Sequence, residues 1–179
     1  MDISLELAKL HQLTGADFIR QLKLIVSGGG FHPVEGEIDI FSVGGEHGDD
    51  YDNLLNAARK AVNHGYRVYI LPNPVGIRTA DYIFERKGVY KMFDLKTIKG
   101  KSSVMNRLLE SIGQTNHVVL NMTVDYEPRL LAKDIKAYFE SNRNAREVLI
   151  QKGAKSLSVS RRFVEGNDYV KMFMKRYLR

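Results

Sequence analysis

The spacing of apolar residues along the chain predicts five helical segments and six strands. Residues 49–64 carry apolar positions at helical spacing, including Leu54, Ala58 and Val62. Residues 117–122 form a short apolar run, which is typical of a buried strand. The predicted helical segments are 3–26, interrupted near residue 14, and then 49–64, 102–112, 127–142 and 168–177. The predicted strands are 37–43, 66–71, 80–85, 89–97, 117–122 and 147–151.

The order of these elements predicts an α/β (α+β) protein with a mixed sheet flanked by helices. Strands 80–85 and 89–97 are separated by Arg86-Lys87-Gly88, which indicates a hairpin. The later strands alternate with helices long enough to cross over the sheet. The expected core is therefore an αβββαβ arrangement.

A glycine-rich stretch at residues 27–30 is the best candidate for a boundary within the chain. It predicts an N-terminal helical extension with its linker at 1–30 and an α/β domain at 31–160. A basic C-terminal helix is expected at 161–179.

Composition excludes several classes of protein. The 44% hydrophobic content of the 179 residues is enough for a core, so a wholly disordered chain is not expected. The chain has no cysteine, which excludes a disulfide scaffold, a thiolate zinc site and a cysteine nucleophile. No apolar run approaches the ~18 residues of a membrane span. Asp2 and Glu6 stand where a signal peptide would be basic, so we expect a cytoplasmic protein with no membrane partner.

The positive charge is concentrated near the C-terminus. The whole chain has a net charge of +6, whereas residues 143–179 hold ten basic and three acidic residues. A basic surface of this size attracts polyanions, nucleic acid first among them, although a solvated tail helix explains the same charges. The candidate nucleic-acid contacts are Arg161, Arg162, Lys171, Lys175 and Arg176.

Two aspartates and a lysine form the strongest candidate for chemistry. Asp94 and Lys96 are two apart on one predicted strand, so their side chains share a face. The hairpin can bring Asp94 close to Asp81, at the start of the partner strand. Two carboxylates suit Mg²⁺, which keeps waters for a phosphate, and an ammonium can neutralise phosphate charge. The alternative for Asp94 and Lys96 is a surface ion pair of little energetic value.

These residues resemble the D…(D/E)-x-K signature of the PD-(D/E)XK nuclease superfamily. The surrounding sequence, over residues 51–151, is similar to the C-terminal tRNase domains of contact-dependent growth-inhibition toxins and related polymorphic toxins. The matching stretches are His64-Gly65-Tyr66-Arg67-Val68, Asn73-Pro74, Ala80-Asp81-Tyr82-Ile83, Phe93-Asp94 and residues 113–121.

The resemblance implies a restriction-endonuclease-like αβββαβ core and a role for each matching position. Asp81 and Asp94 would bind the metal, Lys96 would be the catalytic lysine, and Gln114 would lie beside the site. The family also tends to place a glutamate early in the first helix, where this chain has Leu54 and Asn56. The acids that could substitute as metal ligands, one and two turns earlier, are Asp50 and Glu46. Mg²⁺ is the expected cofactor, with Mn²⁺ and Zn²⁺ as alternatives.

The resulting prediction is a metal-dependent endonuclease that hydrolyses nucleic-acid phosphodiesters, with RNA, in particular tRNA, favoured over DNA. A toxin of this kind would be delivered into a target cell's cytoplasm and would have a cognate acidic immunity protein. Two alternatives stay open. One is a non-catalytic, nuclease-like module of a phage or mobile element that binds nucleic acid or protein, and the other is a DNA-directed nuclease.

Overall fold

The computed structural model of the chain describes residues 1–44, 48–74, 76–100 and 103–179. Within these residues it has seven α-helices and eight strands in a mixed sheet, which confirms the predicted fold class. The strands follow one another in the sheet in chain order, β1 to β8. The helices are α1 Ile3–Lys9, α2 Gly15–Gly28, α3 Tyr51–Asn63, α4 Val104–Leu109, α5 Pro128–Ser141, α6 Arg161–Val164 and α7 Tyr169–Tyr177. The strands are β1 His32–Pro33, β2 Ile40–Ser42, β3 Arg67–Ile70, β4 Tyr82–Arg86, β5 Val89–Ile98, β6 His117–Met122, β7 Glu147–Lys152 and β8 Lys155–Ser160.

The chain divides into two compact units, Met1–Phe93 and Asp94–Arg179, and the boundary falls inside β5. In the N-terminal unit, β2 pairs with β3 in parallel, and β4 pairs antiparallel with both β3 and β5. This meander of β3, β4 and β5 is the antiparallel part of the predicted core. The order α3-β3-β4-β5-α4-β6 is the αβββαβ order that the sequence predicts.

The hairpin between β4 and β5 has a two-residue turn at Lys87 and Gly88. Both residues have positive φ, 51° and 79°, which is the requirement of a type I′ turn, and glycine adopts it without a steric penalty. The turn fixes the register of the two strands, so that Tyr82 lies opposite Phe93. The side-chain carboxylate of Glu85 also accepts from the Gly88 N–H at 2.8 Å.

Helices α1 and α2 belong to the core of the N-terminal unit. Leu7 and Leu22 are fully buried and pack with Tyr69 of β3 and Ile83 of β4 in one apolar cluster. Helix α2 continues through Gly28, so the first glycine of the predicted linker is helical. The N-terminal helices therefore cover the meander from one side.

The C-terminal unit is built on parallel and antiparallel strand pairs. β6 and β7 are parallel, with Val118 opposite Val148, and α5 makes the crossover that a parallel pair needs. β8 returns antiparallel to β7. Helices α4, α5 and α7 contribute Leu108, Ile135 and Phe173 to the same buried cluster.

The structure of this unit differs from the sequence predictions in three places. The predicted helix 102–112 is shorter, since α4 covers Val104–Leu109, and residues 101 and 102 lie outside the described part of the chain. Strand β8 was not predicted, because its sequence, KSLSVS, is mostly polar and five of its six positions are only partly buried or exposed. The predicted basic C-terminal helix is two helices, α6 and α7, separated by residues 165–168.

Tyr169 anchors α7 to α5 and gives a test of this packing. It is buried, its hydroxyl donates to the Ala132 carbonyl at 2.7 Å, and burial raises the pKa of Tyr169 well above its usual range. We expect Tyr169→Phe to lower the free energy of unfolding by about 1 kcal/mol in urea titrations near neutral pH.

The raised pKa of Tyr169 also sets the sign of a pH effect. Above about pH 10 the unfolded chain ionises its tyrosines while Tyr169 stays protonated in the fold, so stability falls as pH rises. Tyr169→Phe should make this alkaline decline less steep. An unchanged urea midpoint together with an unchanged alkaline slope would contradict the buried, hydrogen-bonded position of this hydroxyl.

Candidate functional site

Asp94 and Lys96 form an ion pair that is almost completely buried in the C-terminal unit. Lys96 Nζ lies 3.1 Å from Asp94 Oδ2, and their side chains are 12% and 5% exposed. Strand alternation places both side chains on one face of β5, as residues two apart must be. A buried carboxylate without a counter-charge would cost several kcal/mol, so the pair is not an ordinary surface contact.

Asp81 lies directly before β4 and not inside it. Its N–H donates to the Phe93 carbonyl at 3.1 Å, and its own carbonyl accepts from the Leu71 N–H at 2.8 Å. Phe93 directly precedes Asp94 in the chain, so the β4–β5 hairpin holds the Asp81 backbone to the residue next to Asp94. The side chain of Asp81 is half-buried. These two hydrogen bonds continue the backbone pairing of β4 by one residue, to Asp81, on both of its sides.

The position expected for the early acid of the first helix has no carboxylate here. Leu54 and Asn56 occupy it within α3, and the Leu54 carbonyl accepts from the Tyr82 hydroxyl at 2.8 Å. Asp50 is exposed at the N-terminus of α3 and accepts from the Asn53 amide. Glu46 lies outside the described residues. Asp50 is therefore the one substitute acid that the structure describes, and it lies at the N-terminal end of α3.

Gln114 lies in a turn beyond α4, five residues after the last helical residue. Its N–H donates to the Ser111 carbonyl at 3.0 Å, and its side chain is half-buried. The helix thus ends earlier than the predicted 102–112, and Gln114 is separated from it by a turn. Whether Gln114 acts beside the site stays a prediction.

A polar cluster that the sequence analysis did not select lies across β6, β7 and β8. Glu147 is 5% exposed, and its two carboxylate oxygens bind His117 Nδ1 at 3.2 Å and the Ser158 hydroxyl at 2.7 Å. The sequence signal was an acid and a histidine at the first positions of two apolar strands, and it is visible only once the parallel register pairs them. His117 and Ser158, on the two strands that flank β7, thus provide polar partners for both oxygens of the buried Glu147 carboxylate.

The predicted metal ligands of this chain are carboxylates, those of Asp50, Asp81 and Asp94 among the described residues. Within the described residues, no group of three or more His, Asp or Glu side chains is arranged to hold an ion. Zn²⁺ in proteins takes three or four such ligands, whereas Mg²⁺ needs only one or two carboxylates and completes its shell with water and phosphate. Mg²⁺ binding by Asp81 and Asp94 stays a prediction.

The candidate nucleic-acid contacts differ in their surroundings. Arg161 is only 32% exposed at its side chain, and its guanidinium donates to the carbonyls of Phe139, Asn142 and Ala145. The Arg176 guanidinium lies over the Phe163 ring, 4.6 Å from the centroid. Four of the five candidates are exposed: Arg162, Lys171, Lys175 and Arg176. No helix in the described residues is long and apolar enough to cross a membrane.

Comparison with known proteins gives one weak likeness. No family model matches the chain, and no curated protein matches it. The chain is similar to a solved chain of a CdiA-CT/CdiI toxin and immunity complex from Burkholderia pseudomallei, with 18% sequence identity and a TM-score of 0.41. The similarity covers 64% of this chain and 89% of the other. At that level it does not identify a function, which has to be inferred from this chain's own residues.

The buried pair can be tested without any substrate. Lys96→Met leaves the Asp94 carboxylate buried without a counter-charge, and we expect it to destabilise the fold by about 3 kcal/mol. The double variant Asp94→Asn, Lys96→Met should be more stable than Lys96→Met alone, because it removes the orphaned charge. Urea unfolding in EDTA of the wild type, Asp94→Asn, Lys96→Met and the double variant measures the cycle. Strictly additive effects would show that the two groups do not interact.

Proposed function

We propose that this protein is a metal-dependent nuclease that hydrolyses phosphodiester bonds, with Asp81, Asp94 and Lys96 as its reacting centre. The buried Asp94–Lys96 pair is the observation that carries the proposal. Buried opposite charges are costly to keep where a fold gains nothing from them, since apolar residues of similar volume are often as stable or more so. Perturbed or paired charges of this kind concentrate at functional sites.

The residues have distinct roles in this proposal. The Asp81 and Asp94 carboxylates would hold the cation, and the hairpin restrains the Asp81 backbone beside Phe93. Mg²⁺, when bound, polarises the phosphoryl oxygen and lowers the pKa of a water. Lys96 donates to Asp94 in the free protein and would turn its ammonium to the charge that develops on the phosphate. Gln114 would orient the substrate beside them.

RNA is the proposed substrate, and tRNA in particular. Support comes from the resemblance of residues 51–151 to the tRNase domains of contact-dependent growth-inhibition toxins, and from the basic residues of the C-terminal unit. If the protein is a toxin, an acidic immunity protein that covers the site would be its cognate partner. Delivery would then take it into the cytoplasm of a target cell.

A second candidate function is a nuclease-like module that binds nucleic acid or protein without cutting it. The specific observation in its favour is the first helix, where Leu54 and Asn56 stand at the position of the expected acid. In such a module the Asp94–Lys96 pair is purely structural. The two candidates differ over cleavage and over whether the carboxylates hold a cation.

Cleavage is tested by incubating the protein with tRNA, single-stranded DNA and duplex DNA side by side, with Mg²⁺ or with EDTA. We expect cleavage of tRNA that EDTA abolishes, because two carboxylates without a cation would repel the phosphate. Asp81→Asn and Asp94→Asn should each lower the cleavage rate by about two orders of magnitude or more.

The matched control is Asp17→Asn, since Asp17 is an exposed carboxylate on α2 that pairs with Arg20. It should cleave at the wild-type rate. Circular dichroism should show that all three variants keep the fold. Cleavage that survives EDTA, or that Asp81→Asn and Asp94→Asn leave intact, would refute the proposed centre. Preference for DNA would refute the RNA assignment alone.

A further inference from the structure

An arginine-lined cleft lies in the C-terminal unit, on residues that the reacting centre does not use. It has a volume of about 360 Å³. Four arginines line it, and no acidic side chain is among its lining residues. The residues that line it are Asn116, Arg143, Asn144, Ala145, Arg146, Ser160, Arg161 and Arg162.

Three of the four arginines carry uncompensated charge. Arg143, Arg146 and Arg162 are exposed, and none of them forms a salt bridge with any part of the chain that the structure describes. Like charges held close together repel, so three such guanidinium groups around one cleft are unfavourable without an anion. The cleft is therefore suited to an anionic ligand with several acceptor oxygens.

The fourth arginine holds the cleft in shape. Arg161 donates to the carbonyls of Phe139, Asn142 and Ala145 at 3.1, 2.6 and 3.1 Å, and so fixes the turn that carries Arg143. The Arg146 N–H donates to the Asn116 carbonyl at 2.8 Å, which ties the opposite wall to the same turn. A guanidinium fork on a fixed backbone can meet two phosphate oxygens at once.

We propose that this cleft binds the phosphodiester backbone of a single RNA strand, through Arg143, Arg146 and Arg162. The choice of nucleic acid as the ligand rests on the proposed function, whereas the site and its preference for phosphate rest on the cleft itself. Arg161 is a positioning residue. The cleft, and not the exposed Lys171 and Lys175 of α7, is thus assigned most of the phosphate contacts to the RNA strand.

The proposal is tested by the binding of a short fluorescein-labelled single-stranded RNA to the protein in EDTA, over a series of salt concentrations. One variant is Arg143→Gln, Arg146→Gln, Arg162→Gln. Its matched control is Lys87→Gln, Lys133→Gln, Lys155→Gln, which removes the same charge from three exposed positions outside the cleft. Fluorescence anisotropy gives the affinity, and calorimetry with inorganic pyrophosphate gives a second readout.

For the cleft variant we expect roughly 100-fold weaker RNA binding at low salt. The slope of log affinity against log salt should fall by about 2, because three phosphate contacts are lost. The control should change the slope by less than half as much. Equal effects of the two variants would overturn the proposal, since RNA binding would then depend only on the overall positive charge of the protein.

Tight pyrophosphate binding that the cleft variant loses, with RNA binding unchanged, would also overturn it, because the ligand would then be a small phosphorylated molecule. The assay needs no metal and no cleavage. A protein that binds RNA through the cleft and never cuts it would therefore refute the proposed nuclease function while leaving this inference standing.

Discussion

The candidate site depends on the pairing of two opposite charges that are nearly removed from water. Asp94 and Lys96 neutralise each other at 3.1 Å on one face of β5. Burying either charge there without the other would cost several kcal/mol, which is a large share of the stability of a small domain. For the proposed chemistry, Lys96 has to turn from Asp94 to the phosphate while the Asp94 carboxylate binds the cation, and a lysine has a flexible side chain that suits this exchange.

The sequence is sufficient to predict those features that arise from local rules. Alternation along a strand places Asp94 and Lys96 together, and the Lys87-Gly88 turn sets the hairpin and its register. The apolar run His117–Met122 is β6 with the predicted bounds. The order of elements from α3 to β6 follows from the same periodicities. Each of these signals lies within a few residues along the chain.

Features that depend on distant partners could not be predicted in this way. Strand β8 is largely polar and is a strand because β7 pairs with it. Arg161 looks like any other basic residue in the sequence, yet its guanidinium binds three carbonyls around the end of α5. Net charge alone therefore could not separate arginines that hold the fold from arginines that are free to meet a phosphate.

The most direct test of the account is calorimetric titration of Mg²⁺ into the protein without nucleic acid, compared with Asp94→Asn and with Asp17→Asn. The account predicts saturable binding by the wild type and by Asp17→Asn, and its loss in Asp94→Asn, because the buried carboxylate is one of the two ligands. Heats that do not differ among the three proteins would contradict it, and Asp94 would then be a structural partner of Lys96.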